Sequence, residues 1–354
     1  MKRFLRQLFL FCLLFVLLAG LAHLADRNKY SGSPYYSKKY NYYEQHAAQY
    51  NAVVLGSSRM FRQVNPAVMD SMLGAYHLST YNLGAPATFN PEEYFLYDDF
   101  LETKHANLKY AFLELQPLNK ISELNVDSRR NYYWINFKYL RFALQYILHS
   151  NDSLAVKKQQ IGAYCQSYVN NKFDFSGVLA PFKKKENPVS EIQLKNGFYS
   201  LNDEMDDTPG EDEFSFRLKG FLKDTTVLNE RRKGSEQAFS LAFKAEEVNI
   251  SHLNKLKRLI AKSAEEGIHL FFVMPPKLNA SDYAELLPLM QQLPPANVIQ
   301  LADVKTFPQL YLACNSFDIG HLNKKGADIF SALLAKEVEK RFVTNELKMK
   351  NGGQ

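Results

Sequence analysis

The sequence predicts a doubly wound α/β fold. Five short apolar runs, at residues 52–56, 80–84, 110–115, 269–274 and 298–301, are spaced along the chain and mostly separated by helical patterns. The runs are continuous rather than alternating, the form of parallel strands covered on both faces. The first ends in Gly56, and a later one is followed by Pro275-Pro276, punctuation that closes a strand at a loop. Strand-helix alternation of this kind builds a largely parallel sheet with helices as crossovers. With 354 residues the chain suits one large elaborated domain.

Residues 1–25 stand apart from that pattern. Lys2, Arg3 and Arg6 precede a continuous apolar run from Leu8 to Ala22, with no acidic residue. This composition predicts an N-terminal membrane anchor or a signal segment. Gly20-Leu21-Ala22 is a weak small-x-small cleavage pattern, so an uncleaved single-pass anchor is favoured. The basic flank keeps the N-terminus cytoplasmic by the positive-inside rule and puts the rest of the chain on the extracytoplasmic side of the cytoplasmic membrane.

Residues 26–48, with Ser31-Gly32-Ser33-Pro34 and many tyrosines, read as a spacer. The folded domain is expected over 49–120 and 246–345, broken by an insertion at 121–245 and followed by a tail at 346–354. Helices are predicted at 91–104, 251–266, 281–293 and 324–342; the second ends before Gly267, the third at Pro294-Pro295, and the last closes the domain. The insertion opens with a predicted helix at 131–149, on which Lys138, Arg141 and Gln145 form a narrow polar stripe among apolar and aromatic residues. That surface is either buried under the insertion or turned toward lipid or a membrane partner. Lys183-Lys184-Lys185 and the acidic residues between Asp203 and Glu213 read as solvated loops.

Charge and cysteines exclude several classes. The three N-terminal basic residues account for half of the net +6, leaving a nearly balanced body without a nucleic-acid footprint. No Cys/His cluster has metal-ligand spacing, and no metal or other cofactor is expected. Cys12 lies in the apolar segment, so only Cys165 and Cys314 are candidates for pairing in an oxidising compartment, which spacing alone does not decide.

Two motifs carry chemistry. The first strand ends in Gly56-Ser57-Ser58-Arg59, which places a serine at the carboxyl edge of the sheet, where α/β folds bind ligands. A Gly-Ser-Ser turn serves equally as a helix cap or an anion-binding turn. Far along the chain, Asp318-Ile319-Gly320-His321-Leu322-Asn323 precedes the last helix. An acid and an imidazole three residues apart in a loop suit a base that takes the proton of a serine hydroxyl while a carboxylate fixes its tautomer.

Together these residues resemble the SGNH/GDSL hydrolase superfamily. Gly56-Ser57-Ser58 is similar to its first block, with Ser57 where the family has aspartate. Asp318, His321, Leu322, Asn323 and Gly326 are similar to its last block. Asn82-Leu83-Gly84 fits the second block. The third block departs: strand three ends Leu115-Gln116-Pro117-Leu118-Asn119 in place of Gly-x-Asn-Asp. The resemblance implies a three-layer α/β/α, flavodoxin-like fold with a five-stranded, mainly parallel sheet. It implies a catalytic triad of Ser58, His321 and Asp318, with Ser57 the second candidate nucleophile. It places oxyanion donors at the Ser58 and Gly84 N–H groups, and substrate or oxyanion contacts at Arg59, Asn82 and either Gln116 or Asn119. Anchored members with Gly-Ser-Ser resemble proteins of teichoic-acid D-alanylation and alginate O-acetylation. That likeness implies acyl transfer or ester hydrolysis on an envelope glycan beside a membrane-bound O-acyltransferase. The alternative is a catalytically weak or silent glycan-binding scaffold partner of such an enzyme.

Overall fold

The five apolar runs become β1 (Ala52–Leu55), β2 (Thr80–Asn82), β3 (Tyr110–Glu114), β4 (His269–Met274) and β5 (Val298–Gln300). They are seen in a computed structural model that describes residues 2–25, 34–118, 121, 125–126, 128, 135–172, 195–207, 212–241 and 248–351. They form one sheet in the order β2-β1-β3-β4-β5, and all its pairings are parallel. The mainly parallel sheet expected from the sequence is therefore wholly parallel. Its strands are buried along almost their whole length, which is why they read as unbroken apolar runs.

Strand order reverses at β1. The chain leaves β1 toward β2 on one side and returns to β3 on the other, so the carboxyl ends of β1 and β3 flank the crevice where such sheets bind ligands. The strand side chains Val54, Phe112, Phe271 and Ile299 pack with Met60, Leu322, Phe330, Leu334 and Val338 in one cluster. At its centre Phe112 and Phe271 stack with ring centroids 5.2 Å apart.

In chain order the helices are α1 (Lys2–Ala25), α2 (Pro34–His46), α3 (Ser58–Gln63), α4 (Pro66–Met72), α5 (Glu92–Phe100), α6 (Phe137–His149) and α7 (Leu154–Lys172). They continue as α8 (Leu201–Asp207), α9 (Asp212–Lys223), α10 (Leu228–Ser240), α11 (Ile250–Glu265), α12 (Ala280–Gln291) and α13 (Lys324–Asn351). The predicted helices at 91–104, 251–266, 281–293 and 324–342 correspond to α5, α11, α12 and α13.

The chain divides into two compact units, residues 1–38 with 122–190 and residues 39–121 with 191–354. The segment expected as one insertion is thus split, and its second part belongs with the sheet. In the first unit, Asn136 accepts the Tyr139 N–H at 2.8 Å and caps α6. The α6 residues Tyr139, Leu140, Ala143, Tyr146 and Ile147 are buried at helical spacing, and Tyr139 meets Tyr164 of α7 edge to face. Residues 131–134 of the predicted helix, and the lysine run at 183–185, lie outside the described residues. Leu8 to Leu18 of α1 are exposed, and among the described residues no helix is long and apolar enough to cross a membrane.

In the second unit, residues 195–204 cover the free edge of β2. The Asn82 N–H donates to the Asn196 carbonyl at 2.9 Å, and Tyr50 donates its hydroxyl proton to Lys195 O at 2.6 Å. An unpaired strand edge is a template for aggregation, and this contact closes it. Buried Arg62 pairs with Glu204 and donates to Tyr199 O at 3.2 Å, fastening α8 over α3. Replacing Phe112, which is fully buried and stacked at the sheet centre, by alanine should lower unfolding free energy by about 3–5 kcal/mol, read from urea melts.

Candidate active site

The turn after β1 presents a serine because Gly56 has a φ of +150°, a conformation that side chains rarely adopt. A Cβ there would also lie 2.4 Å from Met60 Cγ and 2.8 Å from Glu114 Cβ. Ser57 then caps α3: its side-chain oxygen accepts the Arg59 N–H at 3.2 Å. Ser57 holds this cap and is only 6 % exposed, whereas Ser58 is more open. Ser58 opens α3, and its Oγ lies 2.9 Å from His321 Nε2.

The seat of His321 is built by the residues around it. Leu322 is wholly buried in the core, and Ser316 and Leu322 form an isolated antiparallel bridge. The Asn323 side chain donates to Cys314 O and accepts the Gly326 N–H, both at 2.9 Å. Gly326 is needed because a Cβ would sit 2.1 Å from Asn315 O. Lys277 reaches the same loop from behind, donating to Ser316 Oγ at 2.6 Å and to His321 O at 3.2 Å.

Asp318 closes the array. Its Oδ1 accepts the backbone N–H groups of Gly320 and His321, each at 2.7 Å, and lies 3.0 Å from His321 Nδ1. Its Oδ2 lies 3.1 Å from the same nitrogen and pairs with Arg217 of α9. Burial opposes ionisation of Asp318, but the imidazole bond and the Arg217 cation outweigh it and hold the carboxyl well below the usual range. With Nδ1–H bonded to the carboxylate, the lone pair of Nε2 faces the Ser58 hydroxyl. Burial pushes the Lys277 amine down to about 7, against the pull of Asp318 and with the push of Arg59 and Arg232.

Of the expected oxyanion donors and contacts, Gly84, Asn82 and Gln116 are employed otherwise. The Gly84 N–H donates to Asn82 Oδ1 at 2.9 Å. Asn82, fully buried, donates its amide to the Met60 and Val64 carbonyls at 2.9 and 2.8 Å, so it terminates α3 and does not face a substrate. Gln116 is spent too: it accepts the Asn90 N–H at 3.1 Å and donates to Thr88 O at 2.9 Å. Asn119 lies outside the described residues. The Ser58 N–H keeps no acceptor among the described residues. Arg59, half-buried, has no ion pair among them.

Two features had no signal in the sequence. Arg217 belongs to the polar insertion, where it reads as one more solvated charge. Beneath the nucleophile turn, buried Glu114 accepts the Ser57 N–H at 2.7 Å. Burial, with Glu114 and Glu92 nearby, pushes the Glu93 carboxyl well above its ordinary range, so its neutral form is favoured. Among the described residues no His/Cys/Asp/Glu group is placed to hold a metal ion. Cys12, Cys165 and Cys314 are free thiols.

No protein-family model matches the chain, and no curated protein and no solved structure matches it.

The depressed Asp318 carboxyl contributes stability at every pH above the ordinary value of about 3.9, and this contribution fades as pH falls through that value toward the folded one. Asp318→Asn should therefore unfold at lower urea than the parent at pH 7, with the gap closing below about pH 4. A gap that stays constant across pH 3–7 would rule out the ionised role.

Proposed function

We propose that this chain is an SGNH-type serine acyltransferase or acylesterase acting on O-acyl groups of a cell-envelope polysaccharide or a related polymer. The observation that carries the reading is the continuous line from Ser58 Oγ through the His321 imidazole to Asp318, with separations of 2.9 and 3.0 Å. A serine hydroxyl at the carboxyl end of a parallel strand, hydrogen-bonded to an imidazole that an ionised aspartate orients, is an arrangement for nucleophilic acyl chemistry. The strand order 2-1-3-4-5 supports the finer fold, a three-layer flavodoxin-like sandwich of the SGNH type.

In this reaction His321 Nε2 takes the Ser58 proton as Oγ forms a bond to the ester carbonyl carbon and the carbonyl electron pair moves onto oxygen. Collapse of that tetrahedral species breaks the bond to the polymer oxygen. The leaving alkoxide receives the proton from His321, and an acyl-Ser58 ester remains. A second hydroxyl, from water or from an acceptor glycan, gives its proton to His321 and takes the acyl group, restoring Ser58. The Ser58 N–H is the backbone donor left for the oxyanion, and Arg59 supplies positive charge beside it. No metal or other cofactor enters these steps.

The basic and apolar N-terminus supports a single-pass anchor with the catalytic domain extracytoplasmic. A membrane-bound O-acyltransferase that loads or receives the acyl group is the partner this reading calls for. The commitment of the Gly84 and Gln116 donors to the fold favours a second reading, a silent glycan-binding partner of that enzyme.

A fluorophosphonate probe separates the two. It should label the parent and Ser57→Ala proteins but not Ser58→Ala, and His321→Ala should slow labelling by roughly 10⁴-fold or more. Absence of label on the parent would leave only the silent partner.

A further inference from the structure

An open cleft of about 570 Å³ lies beside the imidazole, with Asp318 and His321 in its wall. Its opposite side is one face of α9, where Phe216, Arg217, Gly220 and Phe221 fall at helical spacing, continued by Val227. Ile319 of the catalytic loop completes it. The charged groups here are already committed. Arg217 is paired with Asp318, and Asp224 accepts the Thr226 N–H at 2.9 Å. A sugar seated in the cleft would give up hydrogen bonds to water without replacement, whereas a hydrocarbon chain would bury apolar surface against two phenylalanines, a valine and an isoleucine.

We propose that this cleft is the subsite for the acyl chain, and that the transferred group is an apolar chain longer than acetyl. The inference rests on the acyl-transfer reading and names its substrate class. His321 is the shared wall: Ser58 Oγ is hydrogen-bonded to Nε2 on one side, and the cleft meets the same side chain. A chain attached to the carbonyl at Ser58 passes the imidazole to enter the cleft.

Gly220 offers the test. Gly220 lines the cleft and a Cβ there meets nothing within 4 Å, so a side chain can be added at this position, and alanine and leucine are both better helix formers than glycine. In full-length protein, kcat/KM for p-nitrophenyl esters should climb from acetate to octanoate by roughly two- to fourfold per methylene. Gly220→Leu should cut the octanoate-to-acetate ratio at least tenfold, while Gly220→Ala keeps most of it. A binding arm needs no turnover. N-phenyl-1-naphthylamine bound to Ser58→Ala protein should be displaced by ethyl octanoate and not by ethyl acetate, and Gly220→Leu in that background should weaken the displacement. A flat ester series in a protein that labels at Ser58, or displacement indifferent to Gly220→Leu, overturns the subsite and leaves acyl transfer standing. Absence of both labelling and ester turnover overturns the acyl-transfer reading itself.

Discussion

The carboxylate of Asp318 is the interaction on which the site depends. It receives two backbone N–H groups from its own loop, the imidazole Nδ1 and the Arg217 guanidinium. Each donor favours the ionised form, and together they offset the cost of burial. The backbone bonds curl residues 318–321 into a tight turn, and the imidazole bond selects the tautomer that leaves Nε2 facing Ser58. Arg217 and Nδ1–H are both donors, so their 3.5 Å approach is not a bond of its own. It follows from both reaching the same carboxylate. Arg217 thereby ties α9 to the loop that carries Asp318 and His321, and residues of both line the cleft.

The nucleophile turn depends on a second buried acid. Gly56 lets Glu114 come close enough to accept the Ser57 N–H, and Glu114 in turn stands beside Glu93. Two carboxyls in one apolar pocket are not both ionised without a large penalty. Burial, with Glu114 and Glu92 beside it, therefore favours the protonated form of Glu93.

The legible parts of the protein were those in which local chemistry and tertiary role coincide. Five strands were visible because burial on both faces leaves unbroken apolar runs. Asp318, His321, Leu322, Asn323 and Gly326 were visible because each is needed within one loop: acid, base, core anchor, turn cap and close approach. Arg217 was not legible, because its partner lies 101 positions away and its neighbours are ordinary surface residues. Asn82 and Gly84 misled for a related reason. A polar residue after a strand looks available to a ligand, yet here Asn82 donates to the Met60 and Val64 carbonyls in the last turn and C-cap of α3. Gln116 is consumed likewise by the loop around Thr88 and Asn90.

That consumption bears on the acyl chemistry proposed above. Each oxyanion donor removed from a hydrolase costs roughly 100- to 1000-fold in rate. With Gly84 and Gln116 committed, stabilisation falls on the Ser58 N–H and the charge of Arg59. Weak oxyanion stabilisation slows attack by water and by an acceptor alcohol alike, because both pass through the same tetrahedral species. An acceptor held by binding contacts recovers the loss through its effective concentration, whereas water, which is not held, recovers none. On the proposed acyl-transfer reading, an incompletely furnished oxyanion site beside the Ser58-His321-Asp318 line therefore favours transfer to a bound acceptor over hydrolysis.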